Sequence, residues 1–325
     1  MQTSTPQLTV IMATPARGAT LQRPLAFLRE QTIREQIELV LIGPGQDTFD
    51  DLDPALLEGF ARCLKLAIGP IEEVERAFAP GIEAATAPVV ALLENHVYAE
   101  PGWAEAIVRA HQGPWAVVGC VISNANVATA TSIVEHLLSY AFHDEQSPTG
   151  EVARVSRNNT TYKRAALTAF GDRLPDLLPR DGGLMEALRA DGARFYREPE
   201  ARLSHLNPSL PGSMLRLRLH SARASSSTRA RTGRWSVGRR ALYVAASPVF
   251  PLLRIRALWS HLQAPQLRQA LPRVAPLLLL ALLVDAVGQA LGFAFGEGDS
   301  AVTAGRYDLD REPYLTGADR AEFMQ

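Results

Sequence analysis

The stretch VVALLENHVYAEPGW, residues 89–103, decides how the rest of the chain is interpreted. It opens with five apolar residues, Val89–Leu93, which is typical of a strand buried on both faces of a sheet. Glu94, Asn95 and His96 follow at once, and polar groups at the end of a buried strand cost free energy unless they have partners. Because ligands of open α/β sheets bind outside the carboxyl ends of the strands, we expect a ligand beside Glu94 and His96.

Glu94 and His96 are separated by one residue, so the alternation of a strand directs both side chains to the same side. A carboxylate and an imidazole presented together can hold a divalent cation. The E-x-H motif is short, however, and the alternative of a strand that ends in ordinary polar loop residues stays open. Pro101-Gly102 then ends the extended stretch, and a helix is predicted over Trp103–His111.

Apolar runs and helical patterns alternate along the first part of the chain. Strands are predicted at 8–13, 37–42, 64–68, 89–93 and 115–122, and helices at 20–31, 71–86 and 103–111. Pro80-Gly81 falls inside the second helix and predicts a kink or a break there. The alternation predicts an α/β fold with a Rossmann-like, mostly parallel sheet and helices on both faces.

Charge is distributed unevenly over the 325 residues, although the net charge is only −1. Residues 202–273 contain 13 Arg and no Lys, Asp or Glu, whereas residues 297–325 contain seven acids and three Arg. The Arg-rich segment requires an anionic partner, either phosphate, phospholipid or nucleic acid. The chain as a whole, with 47% hydrophobic residues, has the composition of a globular protein and not of a nucleic-acid-binding one. We therefore expect a membrane lipid surface and no nucleic acid.

A series of short motifs resembles the family 2 glycosyltransferases, whose fold is called GT-A. The motifs are TVIMATP at 9–15, QT at 31–32, LENH at 93–96, NNTTYKR at 158–164, PRDGGL at 179–184 and PEARLSH at 199–205. They occur in the family's order, and the resemblance covers about residues 8–205. It implies a GT-A fold over this part of the chain and a nucleotide-sugar donor as substrate.

The resemblance also implies roles for individual residues near the donor. The turn after the first strand, with Thr14, Pro15 and Arg17, is implied to bind the donor nucleotide, together with Glu94 and Asn95. Glu94 and His96 fall on the family's acidic D-x-D motif, which holds a cation that bridges the donor diphosphate. His205, at the end of the closing strand, is the third metal ligand in this interpretation, and the implied cofactor is Mn²⁺ or Mg²⁺.

Two further motifs imply the acceptor side of the reaction. Asn158 and Asn159 fall on the family's segment near the acceptor site, and Asp181 falls on its catalytic base. Alternatives from the residues alone stay open: Asp181 suits the N-cap of a helix at 184–190, His205 suits a structural histidine, and the asparagines suit a turn.

The sequence departs from the family pattern at two places. Gly43-Pro44 stand where the family commonly has an Asp-Asp pair that contacts the nucleoside. Arg180 stands where the family has a Glu before the catalytic Asp. An Arg beside Asp181 would keep that carboxylate ionised, or would pair with it and block it.

The C-terminal third has the composition of a membrane-associated region. Residues 236–262 mix Arg with aliphatic and aromatic residues, as segments in a membrane interface do. Residues 274–295 form a nearly apolar run of 22 residues, long enough to span a bilayer. Asp285 and Gln289 oppose a lone lipid-facing span. The segment is therefore either transmembrane, embedded in the interface, or a helix packed on the catalytic domain.

Together these patterns predict four regions. They are a GT-A domain at 1–207, an Arg-rich interfacial helical region at 208–273, a transmembrane or membrane-embedded segment at 274–295, and an acidic tail at 296–325. We expect an inverting glycosyltransferase that transfers a sugar from a nucleotide-sugar donor to a lipid-linked or polysaccharide acceptor. It would be membrane-associated, with the catalytic domain on the cytoplasmic side.

Two other functions remain as alternatives. One is a catalytically degenerate GT-A module that serves as a membrane-bound scaffold or regulator of polysaccharide assembly. The other is a nucleotidyltransferase, which is disfavoured because the N-terminal region has no Gly-rich phosphate loop beyond Gly43-Pro44-Gly45.

Overall fold

A computed structural model describes residues 5–15, 17–179 and 182–324 of the chain. The chain divides into two units. Unit 1 comprises Met1–Ala125, Phe142–Leu206 and Phe323–Gln325, and unit 2 comprises Asn126–Ala141 and Asn207–Glu322. The motifs at 9–15, 93–96 and 158–164 therefore all belong to unit 1.

Unit 1 is built on a nine-stranded sheet within the described residues. The strands are β1 Leu8–Ala13, β2 Ile37–Gly43, β3 Arg62–Ala67, β4 Val89–Leu93, β5 Val97–Ala99, β6 Val117–Asn124, β7 Gly150–Glu151, β8 Thr160–Lys163 and β9 Phe195–His205. Their order across the sheet is β3-β2-β1-β4-β8-β6-β9-β5, and β7 pairs with β9.

The two halves of this sheet differ in strand direction. Strands β3, β2, β1 and β4 run parallel to one another, as the strand–helix alternation predicts. Strand β8 is antiparallel to both β4 and β6, and β5 and β7 are antiparallel to β9. Strands β6 and β9 are parallel to each other. The sheet is therefore mixed but rich in parallel pairs, and the prediction of a mostly parallel sheet missed the antiparallel strands β5, β7 and β8. These three strands are only two to four residues long and were not predicted, and β8 lies within a motif that was interpreted only in terms of function.

Helices flank the sheet and make up most of unit 2. In chain order they are α1 Gln22–Arg29, α2 Val74–Ala84, α3 Trp103–His111, α4 Ala130–Tyr140, α5 Arg164–Thr168, α6 Leu174–Leu177, α7 Leu184–Ala190, α8 Pro211–Thr232, α9 Val237–Ala246, α10 Phe250–Ala257, α11 Trp259–Leu262, α12 Pro265–Phe295, α13 Ser300–Leu309 and α14 Gly317–Phe323.

Alternation along β1 assigns the helices of unit 1 to the two faces of the sheet. Val10 and Met12 belong to the same buried cluster as residues of α1 and α3. Ile11 points to the opposite face, where α2 approaches so closely that a Cβ on Gly81 would lie 2.7 Å from Ile11 Cγ2. Only glycine permits this contact. Helix α2 continues through Pro80, so of the predicted kink or break the break does not occur.

Unit 2 has an apolar core of its own, to which α4 contributes although it lies far from the other helices in the sequence. Val134, Leu137 and Leu138 of α4 are buried with Met214 of α8 and with residues of α12. Helix α12 is the one helix in the described part of the chain that is long and apolar enough to cross a membrane.

Helices α8 and α12 pack with their backbones in close contact. A Cβ on Gly288 would lie 2.5 Å from the Leu219 carbonyl oxygen, and one on Gly292 would lie 2.2 Å from that of Arg223. The later glycine of α12 contacts the later residue of α8, so the two helices run parallel. Close to this contact, Arg218 donates two hydrogen bonds to Asp285, from Nε to Oδ1 at 2.9 Å and from Nη2 to Oδ2 at 2.5 Å. The acid that opposed a lone span thus has a partner within unit 2.

The opposite face of α12 is exposed. Leu279, Leu280, Leu283 and Val287 are each between 46% and 57% exposed, whereas Leu278 and Leu282 on the packed face are buried. Helix α12 therefore buries one of its faces in unit 2 and leaves the other exposed, although both faces are apolar.

Candidate functional site

The polar residues that follow β4 are buried, together with the last residue of β9. Glu94, His96 and His205 are 7%, 1% and 3% exposed. Strand β5, which follows at once, pairs antiparallel with β9 and sets Val97 opposite His205. The Leu206 N–H also donates to the His96 carbonyl oxygen at 3.0 Å. The sheet therefore brings together residues from two distant parts of the sequence.

Glu94, His96 and His205 form a cluster whose ligand atoms all lie within 4.8 Å of one another. Glu94 Oε2 is 3.4 Å from His205 Nε2 and 3.7 Å from His96 Nε2. The imidazole rings meet edge to face, with centroids 4.9 Å apart. One carboxylate and two imidazoles at these separations suit a divalent transition metal. All three predicted metal ligands are thus in one place.

Both oxygens of the Glu94 carboxylate accept hydrogen bonds. The side-chain amides of Asn158 and Asn159 donate to Oε1 and Oε2, each at 2.6 Å. Burial alone would raise the pKa of Glu94, but the neighbouring His96, His205 and the Asn159 amide lower it far below its ordinary value. The carboxylate is therefore negatively charged at neutral pH.

The ring of His96 is oriented by its neighbour. Asn95 Oδ1 lies 2.9 Å from His96 Nδ1, and because a carbonyl oxygen only accepts, Nδ1 carries the proton. The remaining ring nitrogen, Nε2, is the one that faces Glu94. In the neutral ring this tautomer places the lone pair on Nε2, which is what binding a metal through Nε2 requires.

The predicted donor turn after β1 connects to this cluster through hydroxyl groups. Thr14 Oγ1 donates to the Arg17 carbonyl oxygen at 2.8 Å and lies 2.9 Å from Thr20 Oγ1. Thr20 in turn accepts from the Asn95 amide at 3.4 Å. Thr20 was not among the predicted site residues, because the sequence pattern assigned it only to the helix predicted at 20–31 and to no binding motif. Pro15 is half-buried beside this chain of contacts, and the Arg17 side chain is exposed.

The structure gives a steric reason for the missing Asp-Asp pair after β2. A Cβ on Gly43 would lie 2.8 Å from Thr48 Cγ2 and 3.1 Å from Phe49 Cζ. No aspartate fits at this position unless Thr48 moves. Instead, Asp51 reaches the β1 turn from the same loop, and its Oδ1 accepts from the Ala19 N–H at 3.0 Å.

The predicted catalytic base, Asp181, and its neighbour Arg180 lie outside the residues that the structure describes. The helix after them is α7, as predicted at 184–190. Its N-cap position is occupied by Gly183, in the left-handed region with φ 79°. Both predicted roles of Asp181, catalytic base and N-cap of this helix, therefore stay predictions.

The sequence matches no protein-family model, and a search of curated proteins finds no match. Among solved structures, the chain is similar to the mannosyltransferase PcManGT from Pyrobaculum calidifontis, in complex with GDP-Man and Mn²⁺. The TM-score is 0.53 with 15% identity, over 88% of this chain and 87% of that chain. At this identity the likeness concerns the fold: this chain has a mixed α/β fold that a mannosyltransferase also has.

Proposed function

We propose that this protein is a glycosyltransferase that transfers a sugar from a nucleotide-sugar donor, with GT-A architecture of the family 2 type over residues 1–207. The observation that carries the proposal is the buried Glu94, His96 and His205 cluster at the carboxyl ends of β4 and β9. Ligands of α/β sheets bind at this edge. The similar mannosyltransferase fold, solved with a sugar nucleotide and a divalent metal, supports the same chemistry here.

The donor atoms fit a resident divalent metal. The Glu94 carboxylate is charged, and His96 is held in the tautomer with Nε2 as ligand atom. When bound, a divalent cation neutralises the negative charge that develops on the departing diphosphate. Because two of the three ligands are imidazoles, which Mg²⁺ accepts poorly, we propose Mn²⁺ over Mg²⁺.

The proposed donor site extends from this cluster to the β1 turn. Thr14, Pro15 and Arg17 form the turn, and the hydroxyls of Thr14 and Thr20 connect it to Asn95. The exposed Arg17 side chain offers a cation to the donor phosphates. Asn95 would then contact both the donor and the metal ligand His96.

Asp181 is the proposed base, with direct displacement at the anomeric carbon. The acceptor oxygen forms its bond to that carbon while the bond to the diphosphate breaks, and the diphosphate leaves with the electron pair. The hydroxyl proton passes to Asp181. Displacement from the opposite side inverts the anomeric centre. Asn158 is half-buried, whereas Asn159 is 1% exposed, so of the two asparagines Asn158 is the one proposed to contact the acceptor.

The proposed acceptor is lipid-linked or a polysaccharide at a membrane, because unit 2 presents a cationic and apolar surface. The exposed apolar residues of α9 to α12 include Leu242, Leu252, Leu253, Trp259, Leu280 and Leu283. Arg239, Arg256, Arg268 and Arg273 are exposed in the same helices, where no acid stands before Asp285. Basic helices with exposed aliphatic and aromatic residues bind anionic membrane surfaces.

We propose that α12 lies in the membrane interface and does not span the bilayer. Its second half is packed along α8, in which the exposed Arg216 lies level with the middle of residues 274–295. A spanning α12 would draw this arginine into hydrocarbon, at about 2.5–3.5 kcal/mol on insertion scales. An in-plane α12 buries Leu279, Leu280, Leu283 and Val287 at the acyl boundary and leaves α8 hydrated. The Arg-rich face then favours the cytoplasmic leaflet.

The regional organisation follows from the same proposal. Residues 208–273 form an Arg-rich interfacial region, residues 274–295 a membrane-embedded segment, and residues 296–325 an acidic tail. In the described part of the tail, α13 contributes Ala304 and Tyr307 to a small cluster with Leu217 of α8.

A second candidate function is a catalytically degenerate module that acts as a membrane-bound scaffold. It is favoured by the crowding at Gly43, which excludes the nucleoside-contacting acid of the family pattern. The two candidates differ in whether a sugar nucleotide binds and turns over.

The test is a calorimetric and hydrolysis screen of the purified full-length protein. GDP- and UDP-linked sugars are titrated with Mn²⁺, with Mg²⁺ and with a chelator. We expect one donor class to bind with Mn²⁺, to bind more weakly with Mg²⁺, and to be hydrolysed slowly in the absence of acceptor. The absence of binding by every donor, with Mn²⁺ present and the protein folded, would support the scaffold.

A further inference from the structure

The contacts around Glu94 suggest a function for residues that the sequence associates with the acceptor. Asn159 binds Glu94 at two points: its Nδ2 donates to Oε2 at 2.6 Å, and its Oδ1 accepts from the Glu94 backbone N–H at 3.0 Å. One side chain therefore ties the carboxylate to the main chain of the same residue. Asn158 completes the arrangement at Oε1.

The sheet register explains how the asparagines reach Glu94. Strand β8 is antiparallel to β4 with Thr160 opposite Leu92. Continued by two residues, this register sets Asn158 opposite Glu94. Asn159 has φ 56°, in the left-handed region that asparagine tolerates better than most residues. The adjoining turn is closed by a 2.6 Å hydrogen bond from Thr160 Oγ1 to the Ser156 carbonyl oxygen.

The chemical type of these partners matters as much as their distance. A buried carboxylate needs hydrogen bonds, and Arg or Lys would supply them together with a positive charge. An asparagine amide donates the same bonds and carries no charge. Glu94 therefore keeps its full negative charge, and its side chain has one orientation, with Oε2 facing both histidines.

We infer that Asn159, assisted by Asn158, is a positioning residue that holds the Glu94 carboxylate in the orientation of a metal ligand. Asn95 does the same for His96 through the Nδ1 hydrogen bond. The inference rests on the proposed function, because it takes the cluster to bind a divalent cation. Partners that orient metal ligands change metal affinity by about 10–100-fold when they are removed.

The experiment measures binding of Mn²⁺ alone to the full-length protein by calorimetry. Asn159→Gly is the decisive variant, because glycine adopts the positive φ without strain and only the side chain is lost. We expect its Mn²⁺ dissociation constant to rise about 10–100-fold. Asn158→Ala removes one hydrogen bond, and we expect a smaller rise.

A double-mutant cycle separates positioning from a structural role. We expect Glu94→Gln to weaken Mn²⁺ binding. Adding Asn159→Gly to this variant should not weaken Mn²⁺ binding further, because Asn159 acts through Glu94. If Asn159 had only a structural role, the two substitutions would lower Mn²⁺ affinity additively, or Asn159→Gly would lower the melting temperature and leave Mn²⁺ affinity unchanged.

The outcomes separate this inference from the proposed function. If wild-type protein does not bind Mn²⁺, the metal site and the positioning role are overturned, and the donor screen decides the proposed function. If wild-type protein binds Mn²⁺ and Asn159→Gly binds it equally well, the positioning role alone is overturned. Loss of affinity in Asn159→Gly with normal circular dichroism and a non-additive cycle supports the inference.

Discussion

Units 1 and 2 depart from the usual distribution of polar and apolar residues in opposite ways. Unit 1 buries charged and polar groups, among them Glu94, His96 and His205, and exposes only Phe27, Ile68 and Phe142 of its large apolar side chains in the described residues. Unit 2 is shorter, yet thirteen of its large apolar side chains are exposed in the part that the structure describes.

Each departure indicates a different kind of partner. Scattered exposed apolar residues are normal in any protein, whereas a buried polar cluster or a large exposed apolar face is informative. The cluster of unit 1 suits a cation and a charged substrate, and the face of unit 2 suits lipid. Chemistry and membrane binding should therefore be separable by substitution.

The largest expected effect is on catalysis in unit 1. Asp181→Asn should lower turnover about 10²–10⁴-fold, the range for a missing general base, while donor affinity stays unchanged. Steady-state rates and donor calorimetry measure the two quantities. Asp191→Asn, an exposed position at the end of α7, is the matched control and should keep wild-type turnover. Near-normal turnover in Asp181→Asn would refute its role as base.

The second effect is on membrane binding by unit 2. The double variant Leu280→Asn/Leu283→Asn should lower partition into anionic vesicles about tenfold or more, since burying each leucine contributes about 1.5–3 kcal/mol. Because both side chains are about half exposed, the melting temperature should change little. Val302→Asn, an exposed residue of α13, is the control. Unchanged partition with a changed oligomeric state would indicate that a second copy of the chain covers this face.

The third effect tests whether α8 and α12 form one packed pair. Gly292→Leu would place side-chain atoms in the Arg223 backbone, and we expect the free energy of unfolding to fall by about 1–3 kcal/mol or more. Gly305→Ala in α13 has open space around its Cβ and should raise it by about 0.5–1 kcal/mol. Denaturant unfolding measures both. Equal stability of Gly292→Leu and wild type would mean that α8 and α12 are apart in solution. The argument that α12 does not span the bilayer would then fail.

The smallest effect concerns a second buried carboxylate of unit 1. Burial would raise the pKa of Glu38, but hydrogen bonds from Thr86, Thr9 and Arg62 lower it below its ordinary value. The charged form therefore stabilises the fold above the unfolded-state pKa of about 4.3, and this contribution is lost as pH falls through the lowered folded-state pKa.

Glu38→Gln tests this contribution by urea unfolding between neutral pH and pH 3. We expect a shallower decline of unfolding free energy below about pH 4.3 than in wild type. The exposed Glu58→Gln should follow the wild-type curve. Parallel curves for Glu38→Gln and wild type would show that the hydrogen bonds do not favour the ionised form.

Local patterns predicted the parts of the site that follow from a single strand. The apolar run of β4 and the polar residues after it were sufficient to predict a ligand site at Glu94 and His96, because alternation and burial act within a few residues. The first four parallel strands and α7 were likewise predictable from periodicity.

The remaining features depend on contacts between distant segments. Strand β8 is only four residues long, and its antiparallel register, which brings Asn159 to Glu94, leaves no periodic signal. The acid at 285 was interpreted as a cost of membrane insertion, because the sequence does not show that Arg218 binds it. Gly43 was interpreted as a missing aspartate, whereas the crowding by Thr48 shows that glycine is required there.

The placement of α4 in unit 2 has a consequence for synthesis of the protein on the ribosome. Val134, Leu137 and Leu138 of α4 are buried against residues as late as Leu282 of α12. At roughly 5–20 residues per second, about 7–30 s separate the emergence of α4 from that of the Leu282 region of α12. During this interval the apolar face of the nascent α4 lacks its final cover. We expect the growing chain to be bound by chaperones or by the membrane at this stage, and unit 2 to complete its folding only after α12 has left the ribosome.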